Sequence, residues 1–288
     1  MRFGDPEHVL SVERFRLLRD MINRQSGIYF SDDSLFLLES RLGERITRLG
    51  LSSFDEYYHL LKYYAEAKEE MEVVIDILTT NETYFYREEY QLRSFTNDIL
   101  PELHERLSRR RRLAIWSAGC STGEEVYTIA MLIIESGLFN GWDVRILGND
   151  ISATVIQKAR AGVYGPSAFR STKPAHIRRF FTETDHGIRV NDEVRTLCRF
   201  TKGNILDKDQ MVFVGQADVI FCRNVLIYFD KASKMQAIDT FYDRLNPQGY
   251  LLLGHTESLI NLSTAFELAH LSEDLVYRKP EVSYDYRR

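Results

Sequence analysis

Leu113-Ala114-Ile115-Trp116-Ser117-Ala118-Gly119-Cys120-Ser121-Thr122-Gly123-Glu124-Glu125 decides how this chain folds. A strand-sized apolar run ends in a turn with two glycines, and a helix-period pattern from Glu124 to Glu135 follows. Gly119 and Gly123 allow a tight turn and close approach of the backbone to a ligand. Sheets built from such units bind ligands at the C-terminal ends of their strands. The turn from Ser117 to Glu125 is therefore the candidate binding site.

Its charges narrow the ligand. A pyrophosphate-binding turn presents free helix N–H groups to an anion. Glu124 and Glu125 would repel a pyrophosphate, and the turn lacks both GxGxxG and the P-loop lysine. The two acids suit a ligand with positive charge, such as the amino group and sulfonium of S-adenosylmethionine. The alternative is that they only complement the helix dipole.

Downstream, strands and helices continue to alternate. Val144-Arg145-Ile146-Leu147 reads as the next strand and Ala153 to Ala161 as the next helix. Ala217 to Cys222, a helix from Lys231 to Leu245, and Gly249 to Gly254 follow. This order predicts a parallel sheet covered on both faces. Two strand-like pieces around Ser272-Glu273-Asp274 predict a closing antiparallel hairpin. The stretch 162–203 breaks the alternation and reads as a small inserted β-subdomain, with strand candidates at Ile188 to Val190 and Leu197 to Phe200.

Upstream, only helical periodicity is present. Val12, Phe15, Leu18 and Ile22 share a face, as do Leu35, Leu38, Leu42, Ile46 and Leu49. Ser53 to Tyr64 and Glu69 to Leu78 predict two further helices. The expected organisation is an all-α domain over 1–78, a linker and connecting helix over 79–112, a Rossmann-like α/β domain over 113–280, and a tail over 281–288.

The second strand ends in Gly148-Asn149-Asp150, which puts an acid where a ribose diol would lie. A carboxylate accepts both hydroxyl protons. The competing role for Asp150 is a helix N-cap. Asn204 and Ile205 follow a later strand, where an amide can reach an adenine edge and an apolar side chain its face.

Composition excludes other classes. The chain has 288 residues, 44% of them hydrophobic, and a formal net charge of -5. The acidic balance argues against a general nucleic-acid binder. The arginine run 109–112 reads as a solvated helix end. No apolar run approaches the ~20 residues that span a bilayer, and Met1-Arg2-Phe3-Gly4-Asp5 lacks the apolar core of a secretory signal. A cytoplasmic protein without membrane insertion is expected. The three cysteines, Cys120, Cys198 and Cys222, have neither CxxC spacing nor a histidine pair beside them, so no metal site is expected.

Two further stretches, Thr79-Thr80-Asn81-Glu82-Thr83-Tyr84-Phe85-Tyr86-Arg87 and Phe221-Cys222-Arg223-Asn224-Val225-Leu226-Ile227-Tyr228-Phe229, complete a pattern of four. With Ser117 to Glu125 and Asn149-Asp150, they closely resemble the bacterial chemotaxis receptor methyltransferases, the CheR family. The resemblance runs from about Phe15 to Lys279. It implies a helical domain joined to a methyltransferase domain with an inserted β-subdomain. It also implies that Asn81, Thr83 and Arg87 reach over the cofactor, and that Glu125 holds the methionine amino group and Asp150 the ribose. Asn204 and Ile205 would frame the adenine, Arg223 and Asn224 would line the methionine end, and Tyr228 would stand near the methyl. Tyr86 and Ser152 depart from the residues common at those positions. So does the short loop Thr182 to Gly187, which predicts direct recognition of the substrate helix without pentapeptide tethering.

The implied reaction is transfer of a methyl from S-adenosylmethionine to a glutamate oxygen on the cytoplasmic helices of methyl-accepting chemotaxis receptors. It leaves a γ-glutamyl ester and S-adenosylhomocysteine. A glutamate with a pKa of ~4.3 is already ionised at neutral pH, so no general base is needed. Arg87 and Tyr228 are the expected catalytic residues. Arg41, Arg45 and Arg48 fall on one helix face and predict a basic stripe for the acidic substrate. A monomer is expected. The competing readings are a paralogue acting on another signalling protein and a non-catalytic adaptor.

Overall fold

The computed structural model describes residues 8–281; the N-terminal stretch from Met1 to Asp5 and nearly all of the tail lie outside them. The described residues form two compact units. One runs to Thr80 and includes Tyr228–Ser233, and the other holds Asn81–Ile227 and the chain from Lys234. Among the described residues no helix is long and apolar enough to cross a membrane.

The first unit contains α1 (Val12–Ser26), α2 (Leu35–Arg48), α3 (Phe54–Tyr63) and α4 (Ala67–Leu78). Local chemistry sets their ends. Ser11 caps α1 by accepting from Arg14 N, and Gly27 stops it at φ +78°. Ser53 caps α3 by accepting from Glu56 N, while Glu56 accepts from Ser52 N. The apolar stripes meet inside: Phe15, Leu18, Ile22, Leu38, Leu42, Ile46, Tyr57 and Val74 are all buried. A later segment joins this unit. Ile28 bridges Phe229, Tyr29 N donates to Tyr228 O at 2.8 Å, and Asn23 Nδ2 donates to Asp230 at 2.9 Å.

The second unit opens with α5 (Glu89–Ser94), a π turn (Phe95–Ile99) and α6 (Leu100–Arg106). Its sheet comprises β1 (Arg112–Ala118), β2 (Asp143–Asp150), β6 (Cys198–Lys202), β7 (Ala217–Cys222), β8 (Leu245–Leu253), β9 (Glu267–His270) and β10 (Leu275–Arg278). The strand order is β6-β2-β1-β7-β8-β10-β9. β6, β2, β1, β7 and β8 pair in parallel, and β9 and β10 form the expected antiparallel hairpin. The order turns outward in opposite directions from β1, so the switch point lies between β1 and β7, where such sheets bind ligands. α7 (Glu124–Ser136), α8 (Ala153–Ala161) and α11 (Lys231–Arg244) supply the crossovers.

The inserted subdomain is smaller than its expected span of 162–203. A three-stranded antiparallel sheet pairs β3 (Val163–Tyr164), β5 (Gly187–Val190) and β4 (Phe181–Thr184), alongside α9 (Pro174–Phe180) and α10 (Asp192–Arg195). Cys198–Lys202 is not part of it but forms the edge of the main sheet beside β2. Both candidate strands are short apolar runs, and only parallel pairing with β2 distinguishes them. The hairpin between β4 and β5 turns on Asp185 and His186 alone, since Thr184 already pairs with Gly187. The arginine run is also more engaged than a solvated end: Arg110 pairs with the fully buried Asp218, and Arg112 lies 3.7 Å from Asp143.

Candidate active site

The turn after β1 is held from the end of β2. Asn149 O accepts from Gly119 N and Cys120 N, each at 2.9 Å. The Asn149 side chain, fully buried, accepts from Trp116 Nε1 at 2.7 Å and donates to Gly203 O at 2.9 Å. One amide thus ties the C-terminal ends of β1, β2 and β6 together. Gly119 (φ +73°) and Gly123 (φ +94°) occupy the left-handed region, as the turn requires. A Cβ on Gly119 would sit 2.5 Å from Val225 Cγ2, so this turn packs directly on the turn that follows β7.

Asp150 accepts from Ser121 N at 2.9 Å on one oxygen and from Ser152 N at 3.0 Å on the other. The cap of α8 is Ser152, whose hydroxyl accepts from Val155 N. Asp150 is therefore not the helix cap. Its carboxylate grips the glycine turn from the neighbouring strand.

Glu125 ends a charged chain centred on Arg223. Its Oε1 accepts from Ser117 Oγ at 2.8 Å and its Oε2 from Arg223 Nη1 at 3.1 Å. Arg223 Nη2 donates to Glu88 at 3.1 Å and to Arg87 O at 2.7 Å. Burial pushes the Glu125 carboxyl up, against the opposing pull of Arg223 and Ser117. Burial likewise raises Glu124, which is tempered by a hydrogen bond from Thr122. The Cys120 thiol is buried beside Asp150 and Glu125, and its pKa lies well above the usual range, so it stays protonated.

The linker bearing Arg87 is anchored from the inserted subdomain. Phe85, fully buried, stacks on Phe169 and meets Tyr164 and Phe181 edge-on, and its N–H donates to Ala168 O at 3.0 Å. Arg170 lies over the Tyr84 ring at 3.8 Å and pairs with Glu82 at 2.7 Å. Arg87 donates to Glu82 O at 3.0 Å and reaches Glu88 only at 4.0 Å. It is not locked in a tight ion pair. Asn81 lies against the glycine turn, where its carbonyl accepts from Ser121 Oγ at 3.3 Å, and Thr83 is half-buried in the same linker.

Tyr86, Glu88, Ser121 and Asn224 all have positive φ. Non-glycine residues hold that conformation only where their surroundings over-determine it, as at ligand sites. Asn204 Oδ1 accepts from Leu206 N at 3.0 Å, which sets the loop in which Ile205 is buried.

Tyr228 groups with the first unit and is 37% exposed. The expected basic stripe is not presented as such. Arg41 donates to Leu78 O at 2.9 Å, and Arg45 pairs through two nitrogens with the buried Glu70. Glu70 also accepts from Tyr57 Oη. Arg48 is exposed and pairs with Glu44 at 2.5 Å. Helical spacing put the three on one face, but the packing of α4 against α2 claims two of them.

Sequence reading missed Glu88 and Glu257 and saw Ser117 and Asn149 only within motifs. Glu257 accepts from the backbone N–H groups of Asn224, Val225 and Gly254 at 2.7–2.9 Å. Glu88, Glu257 and Asn149 carry no local pattern that marks them, because each meets partners distant in sequence, while Ser117 meets Glu125 across the turn itself.

A sheet switch point flanked by an acidic glycine turn, with a second acid ending β2, defines an S-adenosylmethionine-dependent methyltransferase. The residues fit that cofactor. Glu125 and Asp150 suit an ammonium and a ribose. Asn224 Oδ1 and Arg223 Nε, both buried and without a partner among the described residues, are an acceptor and a donor of the kind an α-amino acid group satisfies. Residues 81–274 match the family model "CheR methyltransferase, SAM binding domain", and residues 13–79 match "CheR methyltransferase, all-alpha domain". The chain belongs to the CheR methyltransferase family. It is 34% identical to chemotaxis protein methyltransferase 2 of Vibrio cholerae, over 95% of both chains. It is 37% identical to chemotaxis protein methyltransferase 2 of Pseudomonas aeruginosa, over 91% of this chain and 92% of that one. With the chemotaxis protein methyltransferase of Salmonella typhimurium it shares 35% identity, over 90% and 88%.

Proposed function

We propose that this protein methylates glutamate side chains on the cytoplasmic helices of methyl-accepting chemotaxis receptors, acting as a cytoplasmic monomer and forming γ-glutamyl methyl esters. The observation that carries this reading is Arg87, whose ion-pair contact with Glu88 is long at 4.0 Å, on a linker joined, through Arg223, to the acid that suits the cofactor's amino group. When bound, S-adenosylmethionine supplies an electrophilic methyl and leaves as S-adenosylhomocysteine.

The chain's own residues bind and orient. Gly119 lets the backbone approach, Glu125 takes the amino group, and Arg223 and Asn224 line the methionine end. Asp150 takes the ribose, and Asn204 and Ile205 frame the adenine. Asn81, Thr83 and Arg87 cover the cofactor from the linker. Arg87 pairs with the incoming carboxylate through two N–H groups. Too tight a pair would stabilise the ground state and slow the step, so a guanidinium with slack is apt. Tyr228 fixes the donor or the incoming oxygen by hydrogen bonding. No base is required, because the nucleophile is already ionised, and this fits an inert Cys120.

The two-residue tip of the β4–β5 hairpin offers little to a receptor tail, so recognition is direct. The test is transfer of labelled methyl to membranes bearing the organism's receptors, with and without their C-terminal tails. Base-labile label on both, to equal extents, is expected; dependence on the tail would overturn untethered recognition. The engagement of Arg41 and Arg45 inside their own domain favours a second reading, a paralogue that methylates another signalling protein. Label on a soluble protein in the same lysate, with none on the receptors, would establish that reading instead. Cofactor binding with no transfer at all would leave an adaptor.

A further inference from the structure

Arg223 and Asn224 act from an irregular turn, and one carboxylate holds that turn. Glu257 Oε2 accepts from Asn224 N at 2.8 Å and Gly254 N at 2.7 Å. Its Oε1 accepts from Val225 N at 2.9 Å and Ile227 N at 3.3 Å. Glu257 N in turn donates to Gly254 O at 2.9 Å. Four N–H groups from two segments thus converge on one side chain that the binding chemistry does not use. An ionised carboxylate is acceptor-only, and no other side chain of this length can face four donors.

The ring is closed sterically as well. A Cβ on Gly254 would lie 2.8 Å from both Asn224 N and Glu257 Oε2, so glycine is required there. Asn224 sits at φ +60°, in the left-handed region that asparagine tolerates better than most residues, and the four N–H contacts of Glu257 hold the turn there. Its Oδ1 is buried with no partner among the described residues, so the backbone beneath it sets where that oxygen stands. The same turn carries Val225, which packs under Gly119 in the cofactor turn.

We propose that Glu257 is a positioning residue for the methionine end of the cofactor, holding the Asn224–Ile227 turn in register with the Ser117–Glu125 turn. This rests on the assignment of Asn224 to that end. The adenosine end, held from β2 and the loop after β6, is independent of the ring. Glu257→Gln puts an N–H donor where the ring needs an acceptor and relaxes the turn without changing its size.

The test compares S-adenosylhomocysteine with 5′-methylthioadenosine, which lacks the amino acid group, by calorimetry on the full chain. Glu257→Gln is expected to weaken S-adenosylhomocysteine about tenfold and 5′-methylthioadenosine by less than about twofold. Gly254→Ala presses on the ring from the other side and is expected to give the same split. It carries the test if the first variant does not fold. Parallel weakening of both ligands, or of neither, overturns the proposal. Asn224→Ala separates the two assignments. If it spares both ligands while Glu257→Gln splits them, Asn224 is misassigned and the turn's backbone carries the contact. If Asn224→Ala splits them and Glu257→Gln does not, the role of Glu257 falls.

Discussion

Arg223 donates to Glu125 at 3.1 Å with its side chain only 2% exposed, and its other terminal nitrogen reaches Glu88 at the same distance. One guanidinium therefore joins the Ser117–Glu125 turn to the linker that bears Arg87. Removing it strands two half-buried carboxylates, which costs about 3–5 kcal/mol in comparable buried pairs. Arg223→Met is expected to lower stability by that order in urea unfolding. Arg223→Lys keeps the charge but not the fork. It should fall between wild type and Arg223→Met in stability and still lose S-adenosylhomocysteine affinity.

Cofactor binding should depend on pH through Glu125. Burial raises its pKa above the ordinary 4.5, and only the ionised form pairs with an ammonium. Affinity for S-adenosylhomocysteine is expected to hold at neutral pH and to fall as pH drops through that raised value. Glu125→Gln should bind weakly with no such step. A pH titration of Kd checks both, and an identical acid limb in the variant would assign it to another group.

Glu124 is 4% exposed and, among the described residues, has no cation in hydrogen-bonding contact. Its folded pKa is raised above the unfolded one by burial, so the folded state binds its proton more tightly. Stability from this group is present below the unfolded pKa and is lost as pH rises through the folded pKa. Glu124→Gln keeps the acceptor for Thr122 and drops the buried charge. It is expected to melt higher than wild type near about pH 7, with the gain vanishing towards about pH 4. Melting curves at the two pH values read this directly.

Arg45 and Arg48 should separate structure from recognition. Arg45→Ala leaves Glu70 buried beside Tyr57 without its cation, and a loss of about 3 kcal/mol is expected. Arg48→Ala, at an exposed i,i+4 pair, should change stability by under about 0.5 kcal/mol. If either arginine also meets the substrate, its variant raises KM for receptor membranes at a temperature where the protein is fully folded.

Phe85→Ala opens a cavity among Phe169, Tyr164 and Phe181, with an expected cost of about 3–5 kcal/mol. Because Phe85 also anchors the linker, kcat should fall well before unfolding while affinity for 5′-methylthioadenosine holds. Unchanged kcat in the folded variant would show that Arg87 does not need this anchor.

Much of this molecule is written locally. Alternation of strand and helix, the two helix-period stripes upstream, and glycine placed before acids at a strand end are readable residue by residue, because backbone conformation and amphipathic faces depend on near neighbours. The turn from Ser117 to Glu125 and the acid Asp150 at the end of β2 are legible in this way, whereas Arg87 stands out only through the family resemblance of the stretch that carries it. What the tertiary structure decided are the pairings across sequence distance. Cys198–Lys202 became a sheet edge by lying beside β2. Arg45 became a structural residue because α4 brings Glu70 to it. Phe85 anchors the linker because the inserted subdomain closes an aromatic cluster around it. Glu257, more than thirty residues beyond the turn it holds, gathers N–H groups from two segments. No periodicity encodes such partners, since hydrogen bonds and ion pairs are chosen by which elements pack together, not by the spacing within any one of them.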